Sequence, residues 1–379
     1  MTTNKPPQNH ALLFANGPYQ LLVGVASVRK HGPENCEIIV VPYDMQWQKE
    51  LSRVTCKFAE FLGLKVIHLP FEFLKSSADN KKTYIMRSSL NHILFFLYTK
   101  KYCKQYAFLP KLYGAPERAI LLAASKKKVI IYDDGYGQYV NPKVHISRFD
   151  EFVYSIIGLN DPIKNNIAIA PRNPSLINFE SSEEFKVLQE GYSQEFKDVM
   201  SEIAEQREFL LSLKIHVEIK YISILITLPR FSFMVKDVLI SSLSKLFSQF
   251  FEISPEIKFL LKPHPRDINV AFTELTNGIH VCSNWQLLPL EMWCYPAEVI
   301  CLALNPMVVL TGTSTVAINS DLLPQTKIMV FDFLSFNMPG YNEKSKEIMV
   351  KSGNFTGSTA EDAINILTSF INNFLRNQS

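Results

Sequence analysis

Residues 129–140 read VIIYDDGYGQYV. A short β-branched run stops at two adjacent aspartates, and glycines follow at 135 and 137. The run reads as a strand that ends in a polar turn. Working outward, ALLFA (11–15) is a strand, a helical stretch runs to about residue 30, and CEIIVVPY (36–43) is the next strand. A helix is predicted over 45–62, with Trp47, Leu51, Val54, Phe58 and Phe61 at helical spacing, ending at Gly63. KVIHL (65–69) is a third strand, and basic-apolar helices fill about 83–103 and 115–125. Strands alternating with helices of this length imply parallel βαβ units and a doubly wound sheet.

A second series starts after a charged stretch at 180–215, which reads as a helical connector on the outside of the first domain. YISILITL (221–228) is a buried-type strand, a helix follows at 233–250, and KFLLKPHP (258–265) is a strand running into a polar loop. PMVVLTGTSTVAIN (306–319) and KIMVFDF (327–333) continue the pattern. From Ala360 to Arg376, apolar residues Ile364, Leu367, Phe370, Ile371 and Phe374 mark an amphipathic closing helix. The expected fold is α/β, two Rossmann-like domains with a cleft between them. Their limits are 1–215, 216–350 and a closing segment 351–379.

Bulk properties narrow the function. The chain has 379 residues, 47% apolar and 20% charged, the balance of a globular protein of two domains. A net charge of +3 argues against a dedicated nucleic-acid binder. The six cysteines are scattered without CxxC spacing, which excludes a zinc or redox motif and suits reduced cytosolic thiols. The polar MTTNKPPQNH lacks a signal-peptide core. Residues 292–312, though apolar, carry Pro296, Glu298, Asn305 and Pro306 and do not suit a membrane span.

In open α/β sheets, ligands sit outside the carboxyl ends of the strands. Three polar motifs fall there. Asp133-Asp134-Gly135 forms either an ordinary Asp-Gly turn or an acid pair in which one carboxylate orients backbone and the other is a general base. Lys262-Pro263-His264-Pro265-Arg266 fixes a histidine between two prolines. It is either a solvated basic loop or an imidazole with flanking cations set against a phosphate. Gly312-Thr313-Ser314-Thr315 lies at a strand-to-helix turn, where free backbone amides make an anion site or a plain N-cap. The spacing is not that of a P-loop.

YDDGYGQYV (132–140), KPHPR (262–266) and TSTV (313–316) match, in order and approximate spacing, motifs of bacterial two-domain (GT-B) sialyltransferases. The sequence resembles their capsular polysialyltransferase group and its lipooligosaccharide-sialyltransferase relatives. The resemblance implies inverting transfer from CMP-sialic acid, with Asp134 as general base, Asp133 as the orienting acid and Gly135 letting the chain turn near the acceptor. It implies that His264 assists the departing CMP phosphate, that Ser314 and Thr315 with the helix amides bind it, and that Lys262 supports the nucleotide. Pro265 and Thr313 belong to the same donor-side motifs, with Gly312. LLPLEMW (287–293) resembles the segment whose glutamate holds the donor nucleoside, which makes Glu291 a ribose or cytosine contact. Asn16 and Gln20 after the first strand are acceptor-side candidates, alongside a plain turn, and Arg230 is a candidate for phosphate or carboxylate contact.

The leaving group is already an anionic phosphate and no Asp-x-Asp motif is present, so neither a metal nor a cofactor is expected. Lys100, Lys101, Lys104, Lys111, Arg118 and Lys126–Lys128 would draw a polyanionic glycan acceptor. The same basic apolar face suits an anionic inner leaflet, with the protein peripheral on its cytoplasmic side, or is simply solvated. Two other readings stay open: a GT-B transferase for CMP-Kdo or a UDP-sugar, or a nucleotide-sugar epimerase of the same architecture, and a non-catalytic glycan-binding protein.

Overall fold

The computed structural model describes residues 10–15, 17–42, 49–68, 96–97, 100–101, 105–110, 117, 120–121, 123–124, 128–133, 167–176, 186–215, 217, 222–229, 236–254, 256–267, 273–279, 283–312, 314–335, 341–351 and 354–376. The chain divides into two compact units, Met1–Glu205 and Gln206–Ser379. Of the helix expected at 83–103 only residues 96–97 and 100–101 are described, and of that at 115–125 residues 117, 120–121 and 123–124; all of these but 124 are helical.

In the first unit the elements run β1 (His10–Ala15), α1 (Pro18–His31), β2 (Glu37–Pro42), α2 (Lys49–Phe61), β3 (Lys65–Val66), β4 (Tyr106–Leu109), β5 (Lys128–Tyr132), β6 (Ile167–Ala170), β7 (Lys186–Val187) and α3 (Ser193–Ala204). The strands form one parallel sheet in the order β3-β2-β1-β4-β5-β6-β7. The order reverses between β1 and β4, the switch point at which doubly wound sheets bind ligands. Strands β1, β4, β5 and β6 are almost wholly buried, which is why they read as unbroken apolar runs rather than alternating ones. Helix α1 starts with Pro18 in its first turn and ends with Arg29, Lys30 and His31, which complement the helix dipole. It lies close on the sheet at Gly24, where a Cβ would meet Leu13 at 2.5 Å.

The second unit contains α4 (Arg207–Lys214), β8 (Ile222–Thr227), α5 (Lys236–Ile253), β9 (Ile257–Lys262), α6 (Thr273–Gly278), β10 (Trp285–Leu287), α7 (Ala297–Leu304), β11 (Val308–Thr311), α8 (Thr315–Ile318), β12 (Lys327–Phe331), α9 (Tyr341–Lys351), β13 (Phe355–Gly357) and α10 (Ala360–Arg376). Its parallel sheet has the order β10-β9-β8-β11-β12-β13, with the reversal between β8 and β11. Each unit therefore repeats the Rossmann order, and the doubly wound α/β expectation holds. Helix α10 spans the expected residues. Its fully buried line is Ala360, Ala363, Leu367 and Ile371, whereas Ile364, Phe370 and Phe374 are half-buried. Among the described residues no helix is long and apolar enough to cross a membrane.

The charged stretch 180–215 departs from its reading as an outer helical connector. Lys186–Val187 pairs with β6 as an edge strand, and α3 and α4 fall in different units. Tyr192 and Phe196 are buried with no exposed surface, and α3 packs along α1, fastened by a bidentate Arg29–Glu202 pair. High charge masked an apolar line at Phe196, Val199, Met200 and Ile203 that needs a core to cover it.

Candidate active site

The second unit places two of the three motifs on one edge of one sheet. Strands β8 and β11 end in register at Thr227 and Thr311, whose buried hydroxyls lie 2.5 Å apart. The chain after Thr311 passes under the turn that follows β12: a Cβ on Gly312 would sit 1.9 Å from the Leu334 carbonyl oxygen. Gly312, expected as a donor contact, is thus required for backbone packing. Ser314 is extended (φ −135°, ψ 156°), is the N-cap of α8, and makes no capping hydrogen bond with its side chain. Ser314 and Thr315 are both half-buried. Helix α8 is a single turn, so it supplies local amides rather than a sizeable macrodipole. Thr313 lies outside the described residues.

Beside it, β9 runs into the Lys-Pro-His-Pro segment. The Lys262 carbonyl accepts from the Leu228 amide at 2.9 Å, and the His264 carbonyl accepts from the Asp267 amide at 2.9 Å. His264 and Pro265 are half-buried, Pro263 is buried, and Asp267 is almost fully buried. Lys262 departs from its expected role. Its ammonium turns into the protein and donates to the carbonyls of Trp293 (3.1 Å) and Pro263 (3.4 Å). Burial lowers its pKa to about 8, a fall moderated by attraction to Cys294, Glu298 and Cys301.

Trp293 belongs to a one-and-a-half-turn 3-10 helix, Leu290–Cys294, that also carries the exposed Glu291. The indole donates to the Leu288 carbonyl at 2.7 Å, and the Leu288 amide in turn reaches the Leu261 carbonyl at 2.9 Å. The candidate nucleoside segment is thereby laced to β9. In the first turn of α7, Glu298 is 1% exposed and accepts a 2.6 Å hydrogen bond from Asn319, the residue that ends α8. Neither Glu298 nor Asn319 stood out as a site residue in the sequence. The available signal was a single acid within an otherwise apolar AEVICLAL.

In the first unit, Tyr132 ends β5 and donates its hydroxyl to the Phe14 carbonyl at 2.6 Å, tying β5 to β1. Asp133 is fully buried, and its amide donates to the Tyr192 hydroxyl at 2.9 Å. Burial of this acid suits an orienting role. Asp134, Gly135, Asn16 and Arg230 lie outside the described residues, while Gln20 is half-buried on α1. A cavity of about 640 Å³ lies along α2 and the segment after β3, lined by Lys49, Arg53, Lys57 and His68 with Ser52, Cys56 and Glu60. Lys49, Arg53 and Lys57 bring positive charge to it, with Arg53 paired to Glu50 at 2.8 Å, against the single lining acid Glu60.

Residues 11–331 match the model of a family described as Alpha-2,8-polysialyltransferase. A search of curated proteins gave no match. Among solved structures, the chain is similar to S. aureus MnaA with UDP (TM-score 0.57, 12% identity, 96% of this chain and 88% of that one). It is also similar to the UDP-GlcNAc 2-epimerase of Methanocaldococcus jannaschii in complex with UDP-GlcNAc and UDP (0.54, 14%, 95% and 92%). The UDP-GlcNAc 2-epimerase of Neisseria meningitidis bound to UDP-GlcNAc gives 0.52 at 14%, covering 96% and 92%. At such identities the likeness concerns the fold, which is GT-B.

Proposed function

The chain belongs to the alpha-2,8-polysialyltransferase family and is a glycosyltransferase, and we propose that it moves sialic acid from CMP-sialic acid to a hydroxyl of a glycan acceptor. The acceptor is a polysialic acid chain or a lipooligosaccharide. The observation that carries this reading is that His264 follows β9 and Ser314-Thr315 follow β11 at the carboxyl ends of one parallel sheet, in which these two strands flank β8. A nucleotide phosphate at that edge would have an imidazole on one side and the amides and hydroxyls of a helix start on the other.

The transfer we propose is a single displacement with inversion. The acceptor oxygen attacks the anomeric carbon of sialic acid as the bond from that carbon to the CMP phosphate oxygen breaks. Asp134 takes the acceptor proton, and Asp133, buried beside it in sequence, fixes the backbone. His264 donates to the phosphate as its negative charge grows, and Ser314 and Thr315 add hydrogen bonds. Glu291 contacts the ribose or base. No metal enters the scheme, so a chelator should leave the rate unchanged. Lys49 and Lys57 along α2 support a polyanionic acceptor, because carboxylates spaced along a polymer gain from more than one cation at once.

The assay supplies CMP-sialic acid and sialylated or galactosylated acceptors. Asp134→Ala and His264→Ala should each lower turnover by about a hundredfold or more; wild-type rates in both would end this assignment. The fold-level neighbours bound to UDP or UDP-GlcNAc favour one second reading, a UDP-sugar enzyme. Melting with CMP, UDP and GDP separates the two, since a ligand of the native state raises the melting temperature. Stabilisation by UDP and not by CMP would reject the sialyl reading.

A further inference from the structure

Two ionisable side chains are buried between the segments assigned to the phosphate. Lys262 is 5% exposed and Glu298 is 1% exposed. Taking either charge out of water costs several kcal/mol, and apolar replacements of a buried pair are often neutral or stabilising. A core that needed only cohesion would be served by Met and Leu. The pair has a different distinction, namely what it is bonded to.

Lys262 directly precedes the Pro263-His264-Pro265 segment and clamps the Pro263 and Trp293 carbonyls. Glu298 holds Asn319, which ends the helix that begins at Thr315. Attraction to Glu298 moderates the fall that burial causes in the Lys262 pKa. On the far side of α8, Asn354 donates to the Ala317 carbonyl at 2.6 Å and to the Ser320 hydroxyl at 3.1 Å. Helix α8 is too short to hold its own direction, so its orientation comes from these side chains.

We propose that Lys262 and Glu298 are positioning residues that hold the His264 loop and the Ser314-Thr315 helix start in place for the donor phosphate. The proposal rests on the assignment of that phosphate site. The pair acts through backbone and touches no reacting atom. Glu298 holds the end of α8, so its loss should weaken phosphate recognition selectively, whereas Lys262 also holds the Trp293 carbonyl in the segment that carries Glu291, so its loss should weaken nucleoside binding as well.

The test uses Lys262→Met and Glu298→Gln in the full chain, with His264→Ala as control. Affinities for CMP and for cytidine are measured by calorimetry together with the melting temperature and the kcat–KM split. Wild type should prefer CMP over cytidine by about a hundredfold; Glu298→Gln should reduce that preference to about tenfold or less while cytidine affinity stays within about threefold, and Lys262→Met should reduce it similarly while weakening cytidine beyond about threefold. Melting temperatures should hold or rise in Lys262→Met. An unchanged CMP-to-cytidine ratio in folded Lys262→Met and Glu298→Gln overturns the proposal. So does an equal loss of CMP and cytidine binding in Glu298→Gln, the mark of a purely structural role. Should Lys262→Met fail to fold, Glu298→Gln decides alone, because it keeps the volume and an oxygen for Asn319. If wild type shows no preference for CMP over cytidine, or His264→Ala keeps the wild-type ratio, the phosphate site itself is misassigned. That outcome is distinct from loss of the ratio in His264→Ala alone, which leaves the site standing and removes the pair.

Discussion

The amide of Asp133 donates to the hydroxyl of Tyr192 at 2.9 Å, across 59 residues of sequence. The bond ties the first acid of the Asp-Asp-Gly segment to the residue that leads into α3, and both partners are fully buried. Tyr192→Phe keeps the ring and strands a buried N–H, which costs about 1–3 kcal/mol. Urea melting should show that loss with an unchanged m-value. Under the proposed mechanism, kcat should also fall more than KM for the donor rises.

Gly312 and Gly17 make a contrasting pair. Alanine at 312 would drive its Cβ into the Leu334 carbonyl, at 1.9 Å from the oxygen and 2.2 Å from the carbon. Backbone cannot rotate away as a side chain can, so Gly312→Ala should cost at least about 1–3 kcal/mol. At Gly17 the nearest neighbour is a Leu51 methyl at 3.8 Å and the backbone is extended, so Gly17→Ala should be close to neutral. Thermal melting of the two variants checks the difference.

Lys262 gives stability an alkaline signature. Its folded pKa of about 8 lies below the ordinary 10.5, because burial penalises the ammonium. Between those values the unfolded chain holds the proton and the native protein does not, so this group's contribution to stability rises with pH across that window. Cys301 acts in the opposite sense: burial and then Glu298 push its thiol well above 9.0, and stability falls as pH climbs past the unfolded value. The difference between wild type and Lys262→Met isolates the lysine. It should shift in favour of wild type by on the order of 2–3 kcal/mol from pH 8 to 10.5.

The start of α10 gives the acid counterpart. The Asp362 carboxylate accepts from the amides of Ser358 and Thr359, both at 2.9 Å, while the Asp362 amide donates to the Thr359 hydroxyl at 3.1 Å. These hydrogen bonds, first those from the Thr359 and Ser358 amides, lower its pKa below 3.8. The contribution is present above the unfolded value and is lost as pH falls through the lowered folded one. Asp362→Ala should therefore lower the melting temperature at pH 7 and narrow its gap from wild type in strong acid, as read by circular dichroism at 222 nm.

Much of this architecture is legible in the chain because it is written locally. VIIY, ILIT and FLLK are unbroken apolar runs of strand length, and a parallel sheet buries both faces of each. The closing helix announces its period over seventeen residues. The candidate motifs were visible for the same reason, since polar residues at the ends of apolar strands break a strong pattern. A two-residue edge strand at Lys186–Val187 has no period to read, and the charges around it disguised a helix that belongs to the core.

Sequence by itself determined two parallel α/β units, the strand ends proposed as the ligand site, and a set of acids, a histidine and hydroxyls at those ends. Only the tertiary structure decided that Lys262 points inward at Trp293, that Gly312 serves the Leu334 carbonyl, and that Glu298 meets Asn319. In a strand buried on both faces, alternation carries no polarity signal, so nothing local says which way its last lysine turns. The direction is set by which carbonyls the crossover connections bring within reach, and those partners lie about twenty to thirty residues away in sequence.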